Sequence, residues 1–295
     1  QRSMAVFMTV ACGVFMTLGV GINRKNPARL TERDSGTGGF ALWVETALPL
    51  KAAPERFMVP LRMRRGDEAS CLNLNRAQTP TVLGVDPAAF AQREAFSFRS
   101  PKEGTWELLN LPFENNAIPA IGDYATVYWG LGLTVGDTLA IQDDKGQTIR
   151  LHIAAVLKES VFQGRLLISE RNFIEHFPSH DGYRAFLADM TEMGANQTAD
   201  VLSRRLADYG AEVIPTKTLL RDFLRVENTY LAIFLALGGL GLILGSAGAG
   251  LALLFNVIDR RGELAMMQAI GFSRAAIGRL LLDEHAGLFA AGTLA

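Results

Sequence analysis

Two long runs without a charged residue are the features that most restrict how this chain can fold. The first extends from Met4 to Ile22 and the second from Tyr230 to Phe255. A helix of about 20 residues crosses a hydrocarbon layer about 30 Å thick, so each run can supply one transmembrane helix. A cleaved signal peptide is the alternative for the first run, residues 1–22. That run is long for a signal peptide and has no clear small-x-small cleavage site.

Small residues recur within both runs at the spacing of helical turns. Gly13 and Gly21 belong to the first run, and Gly241, Gly245 and Ala249 belong to the second. Small side chains at this spacing let two helix backbones approach closely in lipid. We therefore predict that these residues pack against other transmembrane helices, either of the same protein or of a partner membrane protein.

The chain begins close to the first apolar run and ends within another apolar stretch. The first residue is Gln1 rather than Met, and it lies shortly before the first run. Residues 286–295 form a third apolar stretch. This stretch is too short to span a bilayer. We expect it to be the start of a third transmembrane helix, and the chain to be a piece of a longer multi-pass membrane protein.

Residues 23–215 have the pattern of a folded polar domain between the membrane runs. Alternating apolar residues, such as Phe40, Leu42 and Val44, are typical of half-buried strands. Two further alternating stretches flank the sequence DDKGQ and predict a hairpin with Gly146 in its turn. Strand and helix patterns follow each other without regular alternation. The pattern predicts an α+β domain with a mixed sheet, arranged in two lobes.

Two helices are predicted at the end of this domain. Residues 198–209 form an amphipathic pattern with Val201, Leu202 and Leu206 facing inward. From Thr216 a helical pattern continues without proline into the second apolar run, which predicts one helix over residues 216–257. Its first turns would stand outside the membrane and link the domain to the transmembrane segment.

A short charged segment, residues 258–285, separates the second apolar run from the third. Gly271 suits the left-handed end of a helix, with Phe272 able to fold back on Met267, and Ser273 suits the start of the next helix. The pattern predicts two short helices joined by a tight turn. Leu264, Met267 and Ile270 recur at helical spacing and would form the apolar face of the first helix, which suits a groove on a partner protein. An interfacial helix lying on lipid headgroups is the alternative. The candidate functional residues are Arg260, Arg261, Glu263, Leu264, Met267, Ile270, Gly271 and Phe272.

The sequence RRGELAMMQAIGFSRAAIGRLLLDEH resembles the segment after the second helix in the FtsX-like, MacB-type permeases of ABC transporters. That family shows Arg-x-x-Glu, an aliphatic and a small residue, then Ala-x-Gly with a small or aromatic residue, and a Glu before the next helix. Gln268 departs from the pattern, because many relatives have Arg or Lys there. The matching positions are Arg260 or Arg261, Glu263, Leu264, Ala265, Ala269, Gly271, Phe272 and Glu284.

The resemblance implies a multi-pass protein of the bacterial inner membrane with a periplasmic domain between its first two helices. It implies that the charged segment is a cytoplasmic coupling helix that docks on an ATP-binding subunit. ATP and Mg²⁺ would bind to that partner, and this chain would be a transport component rather than an enzyme. Relatives serve in export, lipoprotein release or mechanotransmission. The orientation follows from the resemblance alone, because basic residues flank the apolar runs on both sides.

The sequence shows no pattern for catalysis, metal binding or nucleic-acid binding. It lacks a G-x-x-x-x-G-K-[ST] phosphate loop and any nucleophile–base motif. His176 and His180 flank Pro178, which disrupts the helical spacing of a metal-ligand pair. Cys12 and Cys71 give no metal-site spacing. A net charge of −1 without a basic block argues against a nucleic-acid partner.

Two other classes of protein place an outer domain between membrane segments. A membrane receptor with a periplasmic sensory domain normally continues into a long cytoplasmic coiled coil or kinase domain. Here an apolar run returns after about thirty residues, which disfavours a receptor. An outer-facing enzyme with membrane anchors would need a catalytic constellation. The permease is therefore the favoured interpretation, and the receptor is the alternative.

Overall fold

The structure is a computed structural model that describes residues 14–15, 18–19, 32–66, 80–113, 116–190, 194–280 and 283. The chain forms two compact units. We call Asn26–Leu224 the sheet unit, and Gln1–Lys25 together with Arg225–Ala295 the helical unit. Several predicted features lie outside the described residues: most of the first apolar run with Gly13 and Gly21, Cys12, Cys71, Glu284 and residues 286–295.

The sheet unit is built on one mixed, ten-stranded sheet. Only β3 with β8 and β5 with β7 pair in parallel, and the other pairs are antiparallel. The strands are β1 (Leu42–Leu50), β2 (Met58–Arg64), β3 (Thr81–Val85), β4 (Phe98–Ser100), β5 (Ile118–Asp123), β6 (Thr138–Gln142), β7 (Thr148–Leu157), β8 (Arg165–Ser169), β9 (Tyr183–Ala188) and β10 (Glu212–Pro215).

The strand order is β10-β1-β9-β2-β3-β8-β5-β7-β4, and β6 also pairs with β7. The pairing of β2 with β3 joins the two halves of this sheet, so the two predicted lobes form a single compact unit. The predicted α+β class with a mixed sheet is confirmed.

Helices cover the sheet and form most of the described helical unit. A 3-10 turn, Trp106–Asn110, and a π-helix, Ala125–Leu131, also belong to the sheet unit. The α-helices are α1 (Pro87–Ala91), α2 (Glu170–His176), α3 (Ala195–Arg205), α4 (Thr216–Asp259), α5 (Arg261–Ala269) and α6 (residues 274–280).

The predicted hairpin is confirmed in its register and its turn. Strands β6 and β7 pair Leu139 with Leu151, which places these apolar residues opposite each other. Gly146 has a φ of 75°, a backbone conformation that glycine adopts easily. The Asp143 carboxylate accepts a hydrogen bond from the Lys145 N–H at 2.9 Å and thereby closes the turn.

The first residues of strand β1 are buried on both faces where the strand was predicted to be half-buried. Trp43 belongs to a hydrophobic core that we call the aromatic core, because it contains Phe40, Phe90, Phe96, Trp106 and Phe162. Its neighbours Leu42 and Val44 belong to a second core that includes Leu202 of α3. Alternation along the sequence was a poor guide here because helix α3 covers the face that would otherwise meet water.

Helix α3 differs from its prediction in bounds and in orientation. It begins at Ala195 and ends at Arg205, and a separate 3-10 turn follows. Leu202 and Leu206 are buried as expected. Val201 is 52% exposed, so its predicted inward orientation is wrong. Leu202 and Leu206 are one turn apart and share a face that their neighbour Val201 does not.

Helix α4 begins within the core of the sheet unit. The Thr216 hydroxyl donates to the Ala41 carbonyl at 3.1 Å, and Leu220 is buried in the aromatic core. The helix then continues through the second apolar run to Asp259. Within the described residues, Thr229–Gly248 is the one stretch whose length and composition suffice to cross a membrane, with a mean hydropathy of 2.1.

The sheet unit is expected to fold without the rest of the chain. It contains its own sheet and three hydrophobic cores, which is what a domain of this size needs to fold alone. A protein of residues 26–224 should be soluble and should melt in one cooperative transition measured by circular dichroism. Aggregation under all conditions, with no cooperative transition, would contradict this expectation.

Candidate functional site

The charged segment begins with a one-residue break between α4 and α5. Helix α4 ends at Asp259 and α5 begins at Arg261, so only Arg260 separates them. The Leu264 N–H donates to the Arg260 carbonyl at 3.1 Å. The Arg260 Nε lies 3.0 Å from a carboxylate oxygen of Glu263, one turn further on. The first turn of α5 is therefore bonded to Arg260, the residue at the break.

A two-bond motif ends helix α5. The Phe272 N–H donates to the Met267 carbonyl at 3.1 Å, and the Gly271 N–H donates to the Gln268 carbonyl at 3.1 Å. Gly271 has a φ of 106°, where a side chain would strain the backbone. This is the Schellman arrangement, in which Phe272 folds back over the last turn. The predicted helix end at Gly271 is confirmed.

The next helix starts where the sequence predicts. The Ser273 Oγ accepts a hydrogen bond from the Ala276 N–H at 3.2 Å, which is the N-cap geometry. Helix α6 follows over residues 274–280, with Ile277 buried and Leu280 half-exposed. The segment is therefore a pair of short helices joined by a tight turn, with local hydrogen bonds on both sides of that turn, and we call it the helical hairpin.

The exposed apolar face of this hairpin differs from the predicted one. Met266, Ile270 and Phe272 are 61%, 73% and 57% exposed. Leu264 and Met267 are half-buried, although they were predicted to form the exposed docking face together with Ile270. Residues 266 and 270 are one turn apart and share a helix face, while 264 and 267 lie to one side of it. We call Met266, Ile270 and Phe272 the apolar triplet.

The predicted packing of small residues against other transmembrane helices stays a prediction. Gly245 is buried and Gly241 is half-buried in α4. No described atom lies within 4 Å of the place where a Cβ on Gly241 would stand. Gly13, Gly21 and the side chain of Ala249 lie outside what the structure describes. Their packing against other helices stays a prediction.

A buried carboxylate in the sheet unit has no counterpart in the sequence analysis. Asp123, at the end of β5, accepts hydrogen bonds from the N–H groups of Ala125 at 2.8 Å and Thr126 at 3.4 Å. Its other oxygen accepts from the Ser160 N–H at 2.7 Å and the Ser160 hydroxyl at 3.2 Å. Burial raises the pKa of Asp123 to about 7, while these hydrogen bonds act in the opposite direction.

Asp123 fixes the start of the π-helix that exposes Trp129. An Asp two residues before the first residue of a helix is a helix-start signal, and it was the only sequence clue to this role. Ser160 lies 37 positions away along the chain, so the second pair of bonds could not be read from local sequence. Asp123 therefore joins the π-helix to the loop before β8.

Ser179, His180 and Asp144 lie together but do not form a catalytic relay. The Ser179 hydroxyl lies 3.0 Å from the Nδ1 of His180, and the same Nδ1 lies 3.5 Å from the Asp144 carboxylate. A serine–histidine–acid triad needs the acid at one ring nitrogen and the nucleophile at the other. Within the described residues no group of three or more His, Cys, Asp or Glu side chains could hold a metal ion.

Comparison with known proteins gives little support for any assignment. No protein-family model matches the chain, and no curated protein matches it in sequence. The periplasmic region of MacB from Actinobacillus actinomycetemcomitans aligns with a TM-score of 0.36 and 10% identity, over 63% of this chain and 94% of that one. The extracellular domain of the noncanonic ABC-type transporter YknZ from Gram-positive bacteria aligns with a TM-score of 0.29 and 16% identity, over 64% and 91%. Both scores are too low to assign a function by structural similarity.

Proposed function

We propose that this chain is a permease component of an ABC transporter, in which α5 and its turn receive motion from a cytoplasmic ATP-binding subunit. The observation that carries the proposal is the helical hairpin after the apolar span. It combines a charged first turn at Arg260 and Glu263, an exposed apolar triplet and a glycine-dependent turn. The sequence resemblance to FtsX-like, MacB-type permeases is centred on the same residues.

The chemistry of the hairpin suits a protein groove. One ion pair at the start of α5 joins Arg260 to Glu263, and the apolar triplet supplies methionine, isoleucine and phenylalanine side chains for a hydrophobic contact. Flexible methionine side chains adapt well to irregular protein surfaces. In this proposal Arg261, Leu264, Met267 and Gly271 shape the hairpin, while the triplet makes the central contact with the ATP-binding subunit.

Helix α4 provides the physical connection that such a relay requires. It is one helix of 44 residues that begins with Thr216, bonded to the core of the sheet unit, and ends one residue before α5. A displacement of α5 would therefore reach the apolar span across Arg260, the residue at the break, and then along the backbone hydrogen bonds of α4. In this proposal ATP and Mg²⁺ are bound by the partner subunit, and the sheet unit stands in the periplasm.

Thiol labelling of intact spheroplasts tests the proposed topology. In a full-length chain with Cys12 and Cys71 replaced by serine, Lys145→Cys should react with a membrane-impermeant maleimide, and Gly262→Cys should not. Lys145 lies exposed in the turn between β6 and β7. A Cβ at Gly262 meets no described atom within 4 Å, so both replacements fit. Both positions should react once the membrane is permeabilised. Labelling of position 262 in intact spheroplasts would contradict the proposal.

A further inference from the structure

Trp129 is the most exposed large apolar side chain in the described part of the sheet unit. Its exposed fraction is 71%, whereas the two other tryptophans of the chain, Trp43 and Trp106, are 1% and 3% exposed. An aromatic side chain of this kind gains free energy when its surface is removed from water. Trp129 therefore has more to gain from an external contact than any other described apolar side chain of the unit.

The π-helix holds Trp129 on the outside of the domain. Val127 and Leu131 of the same helix are buried and fix its inner side. The Asp123 carboxylate accepts hydrogen bonds from its first turn, and the Leu133 N–H donates to the Val127 carbonyl at 2.9 Å after its last turn. Both ends are bonded, so the outward position of Trp129 belongs to the fold. Helices of this rare type often occur at functional sites.

Tyrosine rings and an arginine adjoin Trp129. The next ring along the helix, Tyr128, stacks on Tyr124 with 4.6 Å between the ring centroids. The Cζ of Arg99 lies 3.5 Å from the centroid of the Tyr124 ring. Arg99 is exposed and forms no ion pair with any described residue, so its charge is available to a partner. We call Arg99, Tyr124, Tyr128 and Trp129 the Trp129 surface.

The chemistry of the Trp129 surface is that of the boundary between lipid and water. Tryptophan and tyrosine are enriched there, because each ring has an apolar body and a polar edge. An arginine beside them attracts the phosphates of anionic lipids. A stable protein interface covers about 800 Å² on each partner, whereas one aromatic side chain buries at most about 250 Å². A lipid surface therefore fits better than a protein partner.

The chain itself keeps a bilayer close to the sheet unit. Thr229–Gly248 has the length and composition to cross a membrane, and it begins shortly after Leu224, the last residue of the unit. A tethered domain needs only a weak contact, because the tether keeps the effective concentration of its partner high. One tryptophan with one arginine is sufficient for a contact of this kind.

We propose that the Trp129 surface is a membrane anchor of the sheet unit. Trp129 enters the boundary between headgroups and acyl chains, and Arg99 binds lipid phosphate. The anchor requires that α4 is inserted in a bilayer, but it does not require the proposed ATP-binding subunit. The two proposals can therefore fail independently.

Brominated lipid tests this contact in the full-length chain, reconstituted into vesicles of equal amounts of phosphatidylcholine and phosphatidylglycerol. Bromine on the acyl chains quenches the fluorescence of tryptophan that touches it. Trp43 and Trp106 are buried, and the apolar runs contain no tryptophan, so quenching reports on Trp129. Brominated phosphatidylcholine should lower the emission, and Trp129→Phe should abolish this loss. Resistance to alkaline extraction confirms that each variant is inserted.

Paired variants separate the anchor from a general effect of charge. Arg99→Gln should lower the ratio of lipid-bound to free Trp129 about fivefold, as expected for the loss of one basic residue at an anionic membrane surface. Lys145→Gln removes the same charge from the exposed turn between β6 and β7 and should leave the ratio unchanged.

Three results would overturn the proposal. The first is quenching of the inserted protein that does not exceed the quenching of Trp129→Phe. The second is an equal loss in the two charge variants. The third is shielding of Trp129 from aqueous acrylamide only after a soluble protein extract is added to the vesicles, because the partner would then be a protein.

Discussion

Replacing Ile270 with aspartate is expected to weaken association with the proposed ATP-binding subunit by at least about thirtyfold. Ile270 is the most exposed member of the apolar triplet, at 73%. Truncating a central interface anchor commonly costs about 2 kcal/mol or more, and burying an unpaired carboxylate adds to that cost. At about 1.4 kcal/mol per factor of ten, this is a loss of about thirtyfold. The measurement is the dissociation constant between the full-length chain in detergent and the purified ATP-binding subunit.

Val201→Asp is the matched control for this change. Val201 is also a half-exposed aliphatic residue on a helix, but it lies in the sheet unit. Its replacement should leave the association unchanged. Met267 is a poorer probe than Ile270 because it is better covered within the chain itself, so a charge there would also disturb the hairpin. Unchanged association for Ile270→Asp, in a protein that still inserts into membranes, would show that the triplet does not contact the subunit.

Replacing Asp123 with alanine is expected to lower the free energy of unfolding of the sheet unit by about 3 kcal/mol or more. The change removes the acceptor for the buried N–H groups of Thr126 and Ser160, for the buried Ser160 hydroxyl and for the half-buried N–H of Ala125. A buried donor left without a partner costs about 1 to 3 kcal/mol. Urea unfolding of residues 26–224, followed by circular dichroism, measures the difference.

Asp137→Ala is the control for the buried position of Asp123. The Asp137 carboxylate also accepts two hydrogen bonds, from the Thr134 N–H at 2.7 Å and the Thr134 hydroxyl at 2.8 Å. Asp137 is exposed, so water replaces the lost acceptor and the expected cost is below about 1 kcal/mol. Similar costs for the two variants would contradict the view that Asp123 joins the π-helix to the loop before β8.

Local sequence was sufficient where the structure depends on neighbours along the chain. Gly271, Phe272 and Ser273 were assigned correctly because a helix end and the following cap involve bonds within about five residues. The hairpin around Gly146 was assigned for the same reason. Both are set by backbone preferences that each residue type carries with it.

Features that depend on distant contacts were missed. Burial of both faces of β1 results from α3, which lies far along the chain from β1. The outward orientation of Val201 follows from which side of α3 meets the sheet. The positive φ angles of Glu94 and Phe96, 52° and 68°, are likewise not suggested by their residue types. Of the apolar triplet, only Ile270 belonged to the predicted docking face. Periodicity gives the spacing of the residues on one helix face, but it does not show which of two neighbouring faces is exposed.

Site-specific photocrosslinking tests the central claim most directly. A photoreactive phenylalanine analogue replaces Ile270 in the full-length chain, in membranes that also contain the ATP-binding subunit. The same analogue at Leu240, within the apolar span of α4, is the control. We expect illumination to join position 270, but not position 240, to the ATP-binding subunit. An inserted protein that gives no such adduct from position 270, or gives it equally from position 240, would contradict the assignment of this hairpin as the coupling site.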